Sequence, residues 1–175
     1  MAMTGVTLGD RLLAVGCTDA SLLGAIGSKV GLSGRVCALV PDAAHAARAR
    51  RAAEKSGFLL EIETGDLQHF PFDDSAFNLV VVDNQDGLIS GARPERRVAI
   101  LQEARRSLAA RGRIVVIERG ARAGLGALFT STAAAPVDPH YRSSGGALAA
   151  LEAEGFRAVR LLAERDGLSF FEGVR

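Results

Sequence analysis

The chain predicts an α/β fold: a mostly parallel, seven-stranded sheet with helices on both faces, closed by an antiparallel C-terminal hairpin. Three observations carry this. Strand-like and helix-like stretches alternate from Arg11 onward and are joined by short turns, as in a parallel sheet. The run FNLVVVD, Phe77–Asp83, is apolar almost throughout, which fits a strand covered on both faces. The last two strand-like runs, 156–162 and 168–174, are separated only by a turn over 164–167 and read as a hairpin.

The first strand is RLLAV, Arg11–Val15, followed by a turn containing Gly16 and a helix over 18–30, where Leu22, Leu23 and Ile26 recur at helical spacing. A buried strand, tight turn and helix in that order form the opening unit of a nucleotide-binding α/β domain, in which a ligand sits on the turn and the helix N-terminus. The turn 31–34 leads to a second strand over 35–39. Pro41 then breaks the chain, Asp42 caps the next helix, and Gly57 ends it. A third strand is expected over 58–63, followed by Gly65, Asp66 and the loop LQHFPFDDSA. After the Phe77–Asp83 strand comes a helix over 94–110, with Val98, Leu101 and Leu108 on its inner face. The turn Arg111-Gly112 leads to a strand ending at Glu118. A Gly/Ala-rich connection over 119–142 and a helix over 143–154 precede the hairpin.

With 175 residues, 48% apolar and a formal charge of +1, the chain reads as one domain over 1–175 with a full-sized core and a short, poorly fixed lead-in over 1–10. The mixed charge gives no electrostatic case for a nucleic-acid or membrane-surface partner. No apolar run approaches the roughly 20 residues of a membrane span, and no signal-peptide pattern opens the chain, so a cytoplasmic protein is expected. Cys17 and Cys37 fall in or beside core strands and read as buried small hydrophobes. The histidines are dispersed, without zinc-ligand spacing, so no metal is expected. Arg48, Arg50, Arg51, Arg93, Arg96 and Arg97 are interspersed with glutamates and read as solvated helix faces.

Four stretches in order carry a family likeness: RLLAVGC, GDLQHFPFDDSAFNLVVVD, LQEARRSLAARGRIVVIE and ALAALEAEGFRAVRLL with the final hairpin. They resemble the class I S-adenosylmethionine-dependent methyltransferases, and in local wording the ubiquinone-biosynthesis-type (type 11) branch, over residues 11–175. The resemblance implies a Rossmann-like fold, S-adenosylmethionine as cofactor and a small-molecule methyl acceptor. It places Gly16, Cys17 and Thr18 on the cofactor turn. Asp66 is matched to the acid that accepts from the adenine amino group, with Leu67 beside it, and Asp83 ends the fourth strand at the ligand edge.

The sequence departs from that family where the cofactor binds. Ala14 stands where an acid is usual, Thr18 and Ala20 where glycines are usual, and Val40 where an acid takes both ribose hydroxyls. Losing charge-assisted bonds of that kind costs roughly 1.5–3 kcal/mol each. Asp42 and Asp19 lie on neighbouring loops and read either as helix caps or as replacements. Many members of that family carry an N-terminal helical segment that covers the cofactor; with about ten residues before the first strand, this chain is expected to lack that cover, and a homodimer is then expected over the apolar carboxyl edge.

Methyl transfer needs in-line positioning and, at most, a base for the acceptor's proton. The candidates for the catalytic part are Asp83, at a buried strand's carboxyl end, and the pair His140 and Tyr141. The acceptor is expected near residues 83–86 and the 119–142 connection. Two functions are therefore open: a methyltransferase with a divergent cofactor turn, or a pseudo-methyltransferase that keeps the fold and acts as a binding or interaction domain without turnover.

Overall fold

The computed structural model describes residues 4–119 and 137–175. In chain order the elements are β1 (Arg11–Val15), α1 (Ala20–Val30), β2 (Arg35–Val40), α2 (Ala43–Ser56), β3 (Glu61–Thr64), β4 (Phe77–Asp83), α3 (Pro94–Ser107), β5 (Leu108–Arg119), α4 (Pro139–Ser143), α5 (Gly146–Ala153), β6 (Arg157–Arg165) and β7 (Leu168–Val174). They build a seven-stranded sheet in the order β3-β2-β1-β4-β5-β7-β6. The strands from β3 to β5 run parallel, while β7 lies antiparallel to both β5 and β6.

Strand alternation divides the core into two layers. Leu12, Ala14, Val36, Ala38, Leu79 and Val81 pack with Leu23, Ile26 and Val30 of α1 and with Ala46, Ala49 and Ala52 of α2. Leu13, Val15, Val80, Val82, Ile114 and Val116 face Ile100, Leu101 and Ala104 of α3 and Leu151 of α5. Both faces are thus covered, as the unbroken apolar runs of β1 and β4 require. Asp42 caps α2 by accepting from the His45 N–H, and Gly57 ends it in the left-handed conformation that its missing Cβ permits.

Several boundaries differ from the sequence expectation. The third strand begins at Glu61, three residues late. Phe58 and Leu60 pack under the α1–α2 layer, while Leu59 between them is 80% exposed. The third helix ends at Ser107, not at 110, because Leu108 already pairs with Phe77 as the first residue of β5. What reads as a turn at Arg111-Gly112 lies inside that strand, at a shift in the β4–β5 register. The helix expected over 143–154 begins at Gly146, after Gly145 and Gly146 take successive positive φ values of 108° and 63°, and a separate short helix, α4, precedes it where connection was expected.

From residue 4 onward the lead-in makes hydrogen bonds to distant parts of the chain. Arg113 Nη2 donates to the Gly5 carbonyl at 2.7 Å, and Gly9 N–H donates to the Val30 carbonyl at 2.9 Å. The Asp10 carboxylate accepts from Thr7 N–H and Asn78 Nδ2, both at 2.8 Å. Among the described residues no helix is long and apolar enough to cross a membrane.

Candidate functional site

The carboxyl edge of β1 and β4 is organised by a pair of acids. After Val15 the chain turns through Gly16 at φ 92° and Cys17 at φ 51°, both in the left-handed region, and reaches Asp19, the N-cap of α1. Asp19 Oδ1 accepts from Ser21 N–H at 2.8 Å and Leu22 N–H at 3.1 Å. Its own N–H donates to Asp83 Oδ2 at 2.9 Å, and Gln85 N–H donates to Asp83 Oδ1 at 3.3 Å. Gln85 Nε2 then reaches Asp19 Oδ2 at 3.5 Å and closes the ring of contacts. Gly16 is required here, since a Cβ would stand 3.0 Å from the Asp83 carbonyl oxygen and 3.2 Å from Leu88 Cδ2.

Burial sets the electrostatics of this network. Asp83 is 5% exposed, and desolvation pushes its carboxyl above the usual range despite the donated N–H groups. For Asp19, less buried, desolvation is outweighed by the donors from Ser21, Leu22 and Gln85, and its carboxyl lies below the usual value. Burial, reinforced by the nearby Asp83, pushes the Cys17 thiol far up, so it is a packed thiol and not a nucleophile. The network opens onto a cavity of about 490 Å³ between α1, the ends of β4 and β5, and the β6–β7 turn; Asp19, Gln85, Ile26, Arg119 and Phe170 line it.

The β2–β3 end is built differently. Val40 is fully buried in the layer under α1 and α2 and offers only its carbonyl, which accepts from Gly65 N–H at 3.0 Å. Asp42 is exposed, with Oδ1 taking the His45 N–H at 2.9 Å and lying 2.8 Å from His45 Nδ1. Asp66 is also exposed, taking Gln68 N–H at 2.9 Å, with His69 Nδ1 at 3.3 Å. Local donors hold both carboxyls below their ordinary value: the His45 side chain first for Asp42, the Gln68 backbone first for Asp66. Leu67 is 2% exposed and sits in the opposite core layer, while Thr18 is half-buried.

His140 and Tyr141 are neighbours on α4 that face opposite ways. His140 is exposed; Tyr141 is 2% exposed and gives its hydroxyl to Glu118 Oε1. Asn84 Nδ2 donates to the same oxygen at 2.7 Å, and Asn84 Oδ1 accepts from the N–H groups of Ile89 and Ser90. Burial pushes the Glu118 carboxyl up, and burial with the Glu118 charge pushes the Tyr141 phenol up. The Arg97 guanidinium lies 4.6 Å over the Tyr141 ring and donates to Asp138 Oδ2 at 2.9 Å. Sequence reasoning missed Glu118 and placed Arg97 on a solvated face, whereas Arg97 is 8% exposed. Its spacing to Ile100, Leu101 and Ala104 on the buried stripe of α3 was the available signal. Among the described residues no group of His, Cys, Asp and Glu could hold a metal ion.

A family model described as a methyltransferase domain matches residues 12–112. No curated protein matches the chain in sequence. Among solved structures, a SAM-dependent methyltransferase from Aquifex aeolicus aligns with a TM-score of 0.73 at 18% identity, covering 98% of this chain and 85% of that one. A SAM-dependent methyltransferase from Methanosarcina mazei aligns at 0.61 and 19% identity, over 95% and 92% of the two chains. PigF with SAH aligns at 0.66 and 17% identity, with 95% of this chain covering 50% of PigF. These likenesses show the fold.

Proposed function

This chain belongs to the methyltransferase domain family, and we propose that it is an S-adenosylmethionine-dependent methyltransferase of the ubiquinone-biosynthesis-type branch acting on a small-molecule acceptor. The observation that carries this is the Asp19–Asp83–Gln85 network, which fixes the turn after β1 beside a cavity of about 490 Å³. In open α/β sheets ligands bind at that carboxyl edge. PigF, which shares the fold, is a structure with SAH.

The donor set fits the cofactor with one substitution. Asp66 is exposed after β3 and has lone pairs for an adenine amino group. Asp19 and Asp83 make the β1 turn electronegative, which suits an α-amino group and a sulfonium. The end of β2 has no ribose acceptor, because Val40 is apolar and fully buried; Asp42, two residues on and exposed, takes that part. When bound, S-adenosylmethionine supplies a methyl carbon that bonds to an acceptor lone pair while the C–S electrons leave with the thioether and any acceptor proton goes to solvent. Gly16 keeps the turn free of a Cβ. Asp83 is a positioning residue, both of its oxygens being taken by backbone N–H groups. Tyr141 anchors α4 to β5 through Glu118, and no proton transfer is asked of it or of His140.

Calorimetric titration with S-adenosylmethionine and S-adenosylhomocysteine tests this. Micromolar binding, weakened tenfold or more by Asp66→Ala and by Asp42→Ala, is the expected result. A second reading, a fold kept for binding without turnover, is favoured by the buried Val40. Absence of heat at millimolar cofactor would establish it over the first.

A further inference from the structure

Two arginines stand at the outer end of the carboxyl-edge cavity. Arg119 ends β5 and Arg165 ends β6, and both pair in register with Leu168 of β7. Residues directly opposite on antiparallel strands share a face, so the three form a row with Leu168 between two guanidinium stems. That face is the one under α1, since Leu168 packs against the α1 layer and both arginines line the cavity. Neighbouring strands lie about 4.8 Å apart, which puts the two arginine backbones roughly 10 Å from each other, within reach of one anion.

The charges already present leave this pair available. Among the described residues Arg165 ion-pairs with the adjacent Asp166, at 3.3 Å, and both side chains are largely exposed. Arg119 makes no ion pair among the described residues. Of the acids lining the cavity, Asp19 is engaged in capping α1 and Asp166 is the exposed neighbour of Arg165. Apolar groups make the wall between the two ends: Leu22 and Ile26 from α1, and Phe170 from β7.

Thr4 also lines the cavity and is 3% exposed; its Oγ1 is buried and has no hydrogen-bond partner among the described residues. The volume of about 490 Å³ falls in the usual small-molecule range of roughly 300–1,000 Å³.

We propose that this cavity binds an amphipathic carboxylate, its charged group between Arg119 and Arg165 and its apolar body on Ile26 and Phe170. That such a molecule is the methyl acceptor rests on the function proposed above; the binding site itself does not. Arg119 and Arg165 set its specificity, because a planar guanidinium pairs with a carboxylate and gains far less from a neutral amide.

The full chain is titrated with decanoate and phenylbutyrate, and with the matching neutral amides, decanamide and phenylbutyramide, as controls. S-adenosylhomocysteine is titrated in parallel against every variant. The expected result is that at least one carboxylate binds tenfold or more tightly than its amide. Arg119→Ala and Arg165→Ala, both at surface positions, should each abolish that preference and leave S-adenosylhomocysteine binding unchanged. Equal affinity for acid and amide, no binding of either, or a preference that survives both substitutions would overturn the inference. If S-adenosylhomocysteine binds and no carboxylate does, the anion site falls while the methyltransferase function stands. If a carboxylate binds in the arginine-dependent way and S-adenosylhomocysteine does not, the site stands and the methyltransferase function falls.

Discussion

At the β1–β4 end of the carboxyl edge, Asp19 bonds to Asp83 and Gln85, 64 and 66 positions away in sequence. At the β2–β3 end, Asp42 and Asp66 bond to residues only two or three positions further on. The first arrangement centres on the buried Asp83, which accepts from two backbone N–H groups; the second is exposed and shapes its own turn. The same residue type therefore does two jobs. Removing an acid from the buried end costs stability, because donors are orphaned. At the exposed end it costs little folding energy and is felt mainly by a ligand.

The strongest way to break this contrast is to move the acid to where relatives have it. Val40→Asp places a carboxylate at a fully buried position among the α1 and α2 side chains. The expected loss is about 4 kcal/mol in denaturant unfolding, with no gain in cofactor affinity. Asp83→Ala comes next, leaving the N–H groups of Asp19 and Gln85 without an acceptor. A loss of about 3 kcal/mol is expected, together with weaker cofactor binding. Asp42→Ala and Asp66→Ala sharpen the comparison from the other side. Each should shift the melting temperature only slightly while cutting cofactor affinity tenfold or more by calorimetry.

The smallest effect is a pH dependence. Burial raises the Glu118 carboxyl above its ordinary 4.5, so the folded protein holds that proton more tightly than the unfolded chain does. The stabilisation from protonation is complete below pH 4.5 and is lost as pH rises through the folded-state value. Glu118→Gln keeps a carbonyl oxygen for Tyr141 and Asn84 and carries no charge. Its melting temperature relative to the parent should rise as pH climbs above about 4.5 and level off once pH passes the raised folded-state value. A constant difference over that range would show that burial does not control this group.

The element boundaries show the same division between local and distant causes. Asp42 and Gly57 bracket α2 because caps act over three or four residues, and that signal lies within the segment itself. The end of α3 was not legible, since Leu108 leaves the helix in order to pair with Phe77, a residue 31 positions away. The hydrogen bonds of the lead-in were not legible for the same reason: its partners, Arg113, Val30 and Asn78, come from distant parts of the chain.

The sequence by itself determined the alternation of strands and helices, the two-sided burial of β1 and β4, the caps of α2, and the family likeness that brings Asp66 and Asp83 to the ligand edge. Periodicity and capping act over a few residues, so they survive in a linear reading. Only the tertiary structure decided which acids are buried and what each one holds. Asp83 was legible as a strand end but not as the acceptor of the Asp19 N–H. Glu118 and Arg97 carried charge that only their packing around Tyr141 placed inside. Arg119 and Arg165 became neighbours through β7, which lies between them. A side chain's charge is written in its residue type, but its partner and its dielectric surroundings come from segments the chain reaches only on folding.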